Sequence, residues 1–457
     1  PEEAAQHPER VAQHYEAAGL AEPAVDAWTR AGRRAVERSD SHEAVEHLRQ
    51  GLELLASLPP GRARDERELA LRLPLGPALT ATQGHAAAEV RECYLRALEL
   101  ARALGVEAEH LEIMGGLFAS HFVRSEVAEA FELAREMLRS AAAHGDSPWI
   151  GAARVAIGVA LLKGGSLEHA RDHLEEGLRR YDPARHFALA HAMGQDYGVV
   201  GWGYSAYAHF ALGDAGEALR RAERAAELAR ALDHPHSLAM ALAMLTFVRF
   251  FRREPEPALP LLDELEALAG REGFHHWEMD VPPMRAWALA ALGRTDEALA
   301  IADEVDGAAL LGRAGVGPGA ARVRVLAEAY LGAGRPADAA RLLADVVERL
   351  EAEAPEAWWL AEAYRARAVA LAQLGNTREA GALLERAAWS ARAAGTPLFL
   401  LRALLELARL RGGADAALRA ALDEARRALP GSDGLAEVRE AGSLLDPAAA
   451  EPVLVVL

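Results

Sequence analysis

A single cysteine, Cys93, and a single lysine, Lys163, stand in a chain of 457 residues. One cysteine excludes an intrachain disulfide framework and fits a reducing compartment, so a cytoplasmic location is expected. Its setting, "EVRECYLRALEL", has a helical pattern in which Cys93 reads as a small buried hydrophobe. One lysine leaves Schiff-base or phosphate-loop chemistry a single candidate, and Lys163 sits in the turn "LLKGGS" without a suitable motif around it. Nearly all positive charge is therefore arginine. It is outnumbered, with 50 Lys and Arg against 68 Asp and Glu and a formal charge of -18. Binding by phosphate neutralisation is disfavoured by that balance, so no nucleic-acid partner is expected. Long apolar runs are missing, which argues against a membrane-spanning helix and a membrane partner. No signal peptide opens the chain, and Pro1 as first residue suggests a piece of something longer.

The motifs of common chemistries are missing as well. There is no glycine-rich loop ending in Gly-Lys-Ser/Thr, no His-Glu-x-x-His, no Cys-x-x-Cys and no serine elbow. The chain is read as a non-enzyme without a cofactor. "GFHHWEMD" and "LDHPHS" offer His275, His276, Glu278, Asp280, His234 and His236. Helical spacing makes these pairs, whereas zinc needs three or four convergent ligands, so no metal site is expected.

What is present is helix. Beta-branched residues are sparse, alternating runs are absent, and apolar positions recur three and four apart over stretches of 12 to 18 residues. Short turns punctuate them: "FALGDAGEAL", "ALGRTDEAL", "YLGAGRPADAA", "AQLGNTREAG" and "LRGGADAAL". Glycine supplies the left-handed end of one helix, and Asp, Thr or Ser can cap the next. Gly293, Gly334, Gly375 and Gly413 are spaced by about 40 residues, with Gly213 and a less regular turn at Arg253-Glu254 before them. Such a hairpin period predicts an all-α fold, a right-handed α-solenoid of tetratricopeptide-like helical hairpins. We expect N-terminal hairpins over 1–58, a central solenoid over 59–312, C-terminal repeats over 313–446 and a tail over 447–457. Helices are expected over 188–212, 274–292, 295–309 and 355–374, among others. Flexible joints are expected near 59–66 and 310–319.

Aromatic residues are scarce, at 6% of the chain, yet they crowd at Tyr197, Trp202, Tyr204, Tyr207 and Phe210. Others fall on first helices of later hairpins: Trp277, Trp287, Tyr330, Trp358, Trp359 and Tyr364. In a right-handed hairpin superhelix the first helices line the concave surface, to which Arg285, Arg322, Arg324, Glu328, Glu362, Arg365 and Arg402 can contribute. The candidate groove residues are Gln195, Asp196, Tyr197, Tyr204, Tyr207, Trp277, Arg285, Arg322, Glu362 and Arg365. Two readings stand: core aromatics with surface ion pairs, or a groove for a peptide, a domain or a small molecule. Gly194, Gly198 and Gly201 form one bare face if the segment is helical. Alternatively, "GQD" is an N-terminal break with Asp196 capping the helix that carries Tyr204.

One stretch, "HPERVAQHYEAAGLAEPAVDAWTRAGRRAVERSDSHEAVEHLRQGLELLASLP", contributes His14, Tyr15, Gly19, Trp28, Ala31, Gly32, Ser39, Glu43, Ala44, His47, Leu48 and Gly51. With Leu75, Gly76, Gly84, Glu89, Val90, Tyr94 and Ala97, and with Tyr181, Asp182, His186, Gly194, Gln195, Asp196, Gly198, Val199 and Tyr204, it resembles a known arrangement. Gly273, Phe274, Trp277, Trp359, Glu362, Tyr364 and Arg365 extend the match. The chain resembles the tetratricopeptide-like C-terminal region of bacterial multidomain signalling proteins, which carry an adenylate/guanylate cyclase or other output domain and an AAA-like ATPase module. It departs at Tyr197 and Tyr207, where the family commonly has proline and tryptophan. The resemblance implies a regulatory or scaffolding array whose partners are proteins or neighbouring domains of the same polypeptide. The alternative is a solenoid that senses a small-molecule or peptide effector and regulates an attached module. The resemblance carries over no catalytic residues.

Overall fold

The computed structural model describes residues 7–38, 40–143, 145, 148–187, 189–190, 194–313, 316–430, 432 and 434–445. Ser39 and the expected tail lie outside the described residues. The described elements are α-helices: α1 Pro8–Ala17, α2 Ala21–Glu37, α3 Ser41–Leu55, α4 Arg62–Gln83, α5 Ala88–Leu104, α6 Glu107–Val123, α7 Val127–Ala143, α8 Pro148–Lys163 and α9 Leu167–Arg179. They continue as α10 Pro183–His186, α11 Tyr197–Ala211, α12 Ala215–Leu232, α13 Pro235–Arg252, α14 Ala258–Glu272, α15 His275–Glu278, α16 Val281–Ala291, α17 Thr295–Ala302 and α18 Gly307–Arg313. The last are α19 Val316–Gly332, α20 Pro336–Glu353, α21 Leu360–Gln373, α22 Thr377–Ala393, α23 Pro397–Arg411, α24 Ala416–Arg427 and α25 Ala436–Leu445. Among the described residues no helix is long and apolar enough to cross a membrane.

The turns work as their composition predicts. Gly213, Gly293, Gly334, Gly375 and Gly412 all take positive φ, ending one helix so that the next can double back. Asp214, Asn376 and Asp415 then accept the backbone N–H of Glu217, Glu379 and Leu418. Each cap satisfies a donor that the new helix cannot bond internally. Helix character alternates in step with the turns. First helices such as α13 and α23 are buried on nearly all sides, whereas the second helix α24 buries only Leu418, Leu422 and Ala425. Apolar residues all round mark a helix packed by neighbours on every side, and a single stripe marks one facing solvent.

By internal packing the chain divides into two compact units. Unit 1 takes Pro1–Ala156, Arg180–Tyr197 and Gly273–His275; unit 2 takes Ile157–Arg179, Gly198–Glu272 and His276–Leu457. In unit 1 the Tyr94 ring of α5 is held between Gly76 of α4 and Gly116 of α6. A Cβ at 76 would lie 2.5 Å from Tyr94 Cε1, and one at 116 would lie 2.1 Å from Cζ. In α5 Cys93 is buried, and burial pushes its thiol up to about 11. In unit 2 the last hairpins fold back onto the first. Arg402 of α23 donates to the carbonyl of Phe251 at 2.6 Å, and the Ser432 hydroxyl donates to that of Gly213 at 2.8 Å.

Several expected boundaries are corrected. The helix expected over 188–212 is broken: Leu189 and Ala190 are helical, 191–193 lie outside the described residues, and α11 begins at Tyr197, after Gly194 adopts φ +73, outside the helical region. The 274–292 helix is two pieces, α15 and α16, with Pro282 and Pro283 opening the second, where the missing proline N–H costs nothing. The 295–309 helix stops at Ala302, and α18 begins at Gly307. The 355–374 helix starts at Leu360. The joint expected near 310–319 is flanked by helix on both sides, with 314–315 outside the described residues. α3 packs against both α2 and α4.

Candidate functional site

Three successive first helices of unit 2 bring an arginine and a glutamate to one face at helical spacing. These are Arg324 and Glu328 on α19, Glu362 and Arg365 on α21, and Arg402 and Glu406 on α23. α25 adds Glu437, and the turn after α13 adds Arg253. The groups alternate in sign. Arg324 lies 2.8 Å from Glu328; Arg365 lies 2.9 Å from Glu362 and 3.4 Å from Glu328; Arg402 lies 3.5 Å from Glu362 and 2.8 Å from Glu437. Arg253 meets Glu437 at 2.9 Å, and Arg365 approaches Glu406 at 4.0 Å. Burying an unpaired charge is costly, and only alternation with good geometry makes such a cluster tolerable. Burial alone would raise the Glu362 carboxyl, but Arg365, Arg402 and Arg324 override it and hold the group at about 2. Burial pushes the Arg324 guanidinium down, opposed by Glu328 and Glu362. Arg324 also sits over the Phe250 ring, 4.6 Å from its centroid, where the ring face favours a cation.

An aromatic wall lies beside this network. Trp358 stacks on Phe399 at 5.6 Å, Phe251 meets Trp358 at 5.5 Å, and Phe210 stacks on Phe251 at 5.2 Å. Tyr207 sets its edge against Phe251 at 6.1 Å and Tyr204 lies beside it at 6.0 Å. Burial raises both phenols well above their ordinary range, and Asp280 adds to the shift at Tyr207.

A second charged pair belongs to the same unit. Arg322 of α19, only 2% exposed, donates through Nε to Asp280 at 2.5 Å and through Nη2 to the His276 carbonyl at 3.2 Å. Its Nη1 and the buried Nε1 of Trp277 make no hydrogen bond among the described residues. His276 lies edge-on to Trp277 at 4.9 Å, and His236 lies 5.9 Å from the same ring. Burial, then Arg322 and His236, push the His276 imidazole down to about 3, so it is neutral. Among the described residues no group of three or more His, Cys, Asp or Glu can hold a metal ion. Asp280 is committed to Arg322, and His234 caps α13 by accepting from the Ser237 N–H.

The remaining sequence candidates separate by unit. Gln195, Asp196 and Tyr197 belong to unit 1, where the Tyr181 hydroxyl donates to Asp196 at 3.0 Å. The Asp182 N–H donates to His186 Nδ1 at 3.0 Å, so that nitrogen carries no proton, and the Tyr197 hydroxyl donates to it as well at 2.8 Å. Tyr181 and Tyr197 meet edge to face at 5.0 Å. The residues Tyr181, Asp182, His186 and Asp196 thus join one another around a joint. Gln195 is half-buried in the bend before α11. The expected face of three glycines is not formed, since Gly194 lies before the helix. The close approach in α11 is instead at Gly203, where a Cβ would lie 2.5 Å from Met244 Sδ. Arg285 is not part of the charged interior: it pairs with the exposed Asp263 at 2.7 Å and Glu266 at 2.9 Å. Arg253, Glu406 and Glu437 were not singled out from sequence. The usable signal was Arg253 itself, an arginine at the left-handed turn position where most neighbouring hairpins have glycine.

No known family model matches the chain. It is similar to an uncharacterized protein of Rhizobium meliloti (strain 1021), 26% identical over 375 residues. That match takes in 81% of this chain and 36% of the other, so the chain spans about a third of its relative's length. Among solved structures it is similar to a Rap protein complexed with competence and sporulation factor, with a TM-score of 0.53 and 13% identity. The superposition covers 85% of this chain and 99% of that one. The fold is a tetratricopeptide-like helical solenoid. Lower similarity extends to aspartyl phosphate phosphatase F from Bacillus subtilis, with a TM-score of 0.46, 13% identity and 81% and 95% of the two chains covered. At 13% identity the likeness to the Rap structure shows the fold alone.

Proposed function

We propose that this solenoid is a non-catalytic regulatory and scaffolding region. It engages another protein, or neighbouring domains of a longer polypeptide, in a bacterial signalling protein. The observation that carries this reading is the charged interior of unit 2: successive first helices bury complementary arginines and glutamates against one another. Such an interior couples several hairpins to one another through shared partners, so that engagement of a protein or domain by one hairpin is felt by the others. The attached module is an ATPase, a cyclase or a transcription module, and the longer Rhizobium meliloti relative leaves room for one. The test uses the complete polypeptide. Nucleotide hydrolysis and cyclase turnover are compared between wild type and a Glu362→Gln, Arg365→Gln variant that stays folded. A regulatory role changes the output activity or its response to partners, and unchanged activity under all conditions would count against it.

A second reading is favoured by Arg322 Nη1 and Trp277 Nε1, two buried donors that make no hydrogen bond among the described residues. On that reading a small-molecule or peptide effector accepts from them near Tyr207, Trp277 and Arg322. A thermal-shift screen of metabolites and nucleotides checks it: a saturable rise lost in Arg322→Ala supports an effector site.

A further inference from the structure

We propose that Arg253 and Arg402 form a binding site for a carboxylate side chain of an acidic peptide segment on a partner, and that Glu437 occupies this site from within as a displaceable internal ligand. The inference rests on the interaction reading above and specifies the chemistry of its partner.

The first support is the backbone. Arg253 adopts φ 59, ψ 46 at the C-terminal end of α13, a conformation that a side-chain-bearing residue rarely takes. Corresponding turns use Gly213, Gly293, Gly334 and Gly375 for this geometry. An arginine kept at a glycine position implies that its side chain has work there, and the side chain goes to Glu437. The second support is surroundings. The Arg253 side chain keeps 44% of its surface, yet burial, Arg402 and Arg365 all push its guanidinium down. The third is charge. With Glu437 withdrawn, Arg253, Arg324, Arg365 and Arg402 face Glu328, Glu362 and a Glu406 already paired with Arg409 at 2.7 Å, so positive charge is in excess at a place that suits a carboxylate.

Glu437 is held in a way that permits exchange. Of the ten residues of α25 only Glu437, Val438 and Ala441 are buried, so little apolar surface anchors the helix that brings the carboxylate. Arg402 is fixed independently, by its bond to the Phe251 carbonyl. The receiving half of the site therefore stays in place when α25 leaves.

The experiment uses the full chain and a fluorescein-labelled hexaglutamate peptide, with an uncharged Gly-Ser hexapeptide as control, at about 0.1 M salt. Glu437→Gln keeps the side-chain shape and removes the competing charge. It is expected to bind hexaglutamate at least about tenfold more tightly than wild type, because the internal competitor is gone. Adding Arg253→Gly, which fits the left-handed turn, is expected to abolish the gain. In wild type, saturating hexaglutamate is expected to speed amide hydrogen exchange in residues 436–445, a readout that needs no variant to fold. Equal affinity in wild type and Glu437→Gln, binding indifferent to Arg253, or unchanged exchange in α25 overturns the proposal. A chain that still engages its neighbouring domains while ignoring hexaglutamate sinks this inference alone and leaves the interaction reading standing.

Discussion

The joint over residues 181–197 and the charged interior of unit 2 both hold buried polar residues singled out from sequence, and they solve burial differently. At the joint, Tyr181, Asp196, Tyr197, Asp182 and His186 satisfy one another through short-range hydrogen bonds, four of these residues lying within a span of sixteen. In unit 2 the partners come from helices far apart in sequence, Glu362 with Arg402 and Arg253 with Glu437. A local hydrogen-bonded cluster folds with its own segment and stiffens it. A long-range ionic cluster exists only when several hairpins are docked, so it reports on their arrangement. The joint is architecture, and the interior is where binding and hairpin docking can be linked.

Removing a central charge is the harshest way to test that contrast. Glu362→Ala leaves Arg324, Arg365 and Arg402 without their shared carboxylate and is expected to cost about 3–5 kcal/mol in denaturant unfolding. The same group sets an acid dependence. Its folded carboxyl lies below the ordinary 4.5, at about 2, so its stabilising contribution is complete above pH 4.5 and is lost as pH falls through 2. Wild type should therefore lose its advantage over Glu362→Gln across that window, measured from urea midpoints. Next in size, Gly151→Ala places a Cβ 2.7 Å from the Tyr197 hydroxyl and is expected to destabilise unit 1 by about 1–3 kcal/mol. Tyr197→Phe removes one hydrogen bond at the joint, for a loss of about 0.5–1.5 kcal/mol. Equal losses for Glu362→Ala and Tyr197→Phe would erase the distinction drawn between the two regions. Smallest of all is Arg253→Gly, where relief of the left-handed backbone offsets a lost ion pair and the change stays within about 1 kcal/mol. A much larger loss would make Arg253 a structural residue.

Legibility differed between fold and site. Turn glycines, caps and apolar period are local signals, and they located most helices within a few residues. Where they failed, the cause was a backbone feature hidden in a helical-looking run. Gly194 ends the pattern before α11, and the two prolines after Asp280 restart it at α16. Among candidate groove residues, Glu362 and Arg365 are joined in the charged interior, whereas Arg285 answers to Asp263 and Glu266 on an exposed face. All three sit on first helices, so helix assignment alone did not separate them. Glu437 went unnoticed because nothing in "LAEVREAG" marks one glutamate as buried.

What the sequence determined by itself was the helical hairpin, its period and the sites of its turns, because these depend on contacts within a few residues along the chain. The return of the last hairpins of unit 2 onto the first was decided only in the tertiary structure. So was the choice of which arginines would lose their water and which carboxylates would meet them. Pairings such as Arg402 with the Phe251 carbonyl span 151 residues, and no local preference encodes them. They follow from the summed docking of one hairpin on the next, which places a charge where its partner already waits.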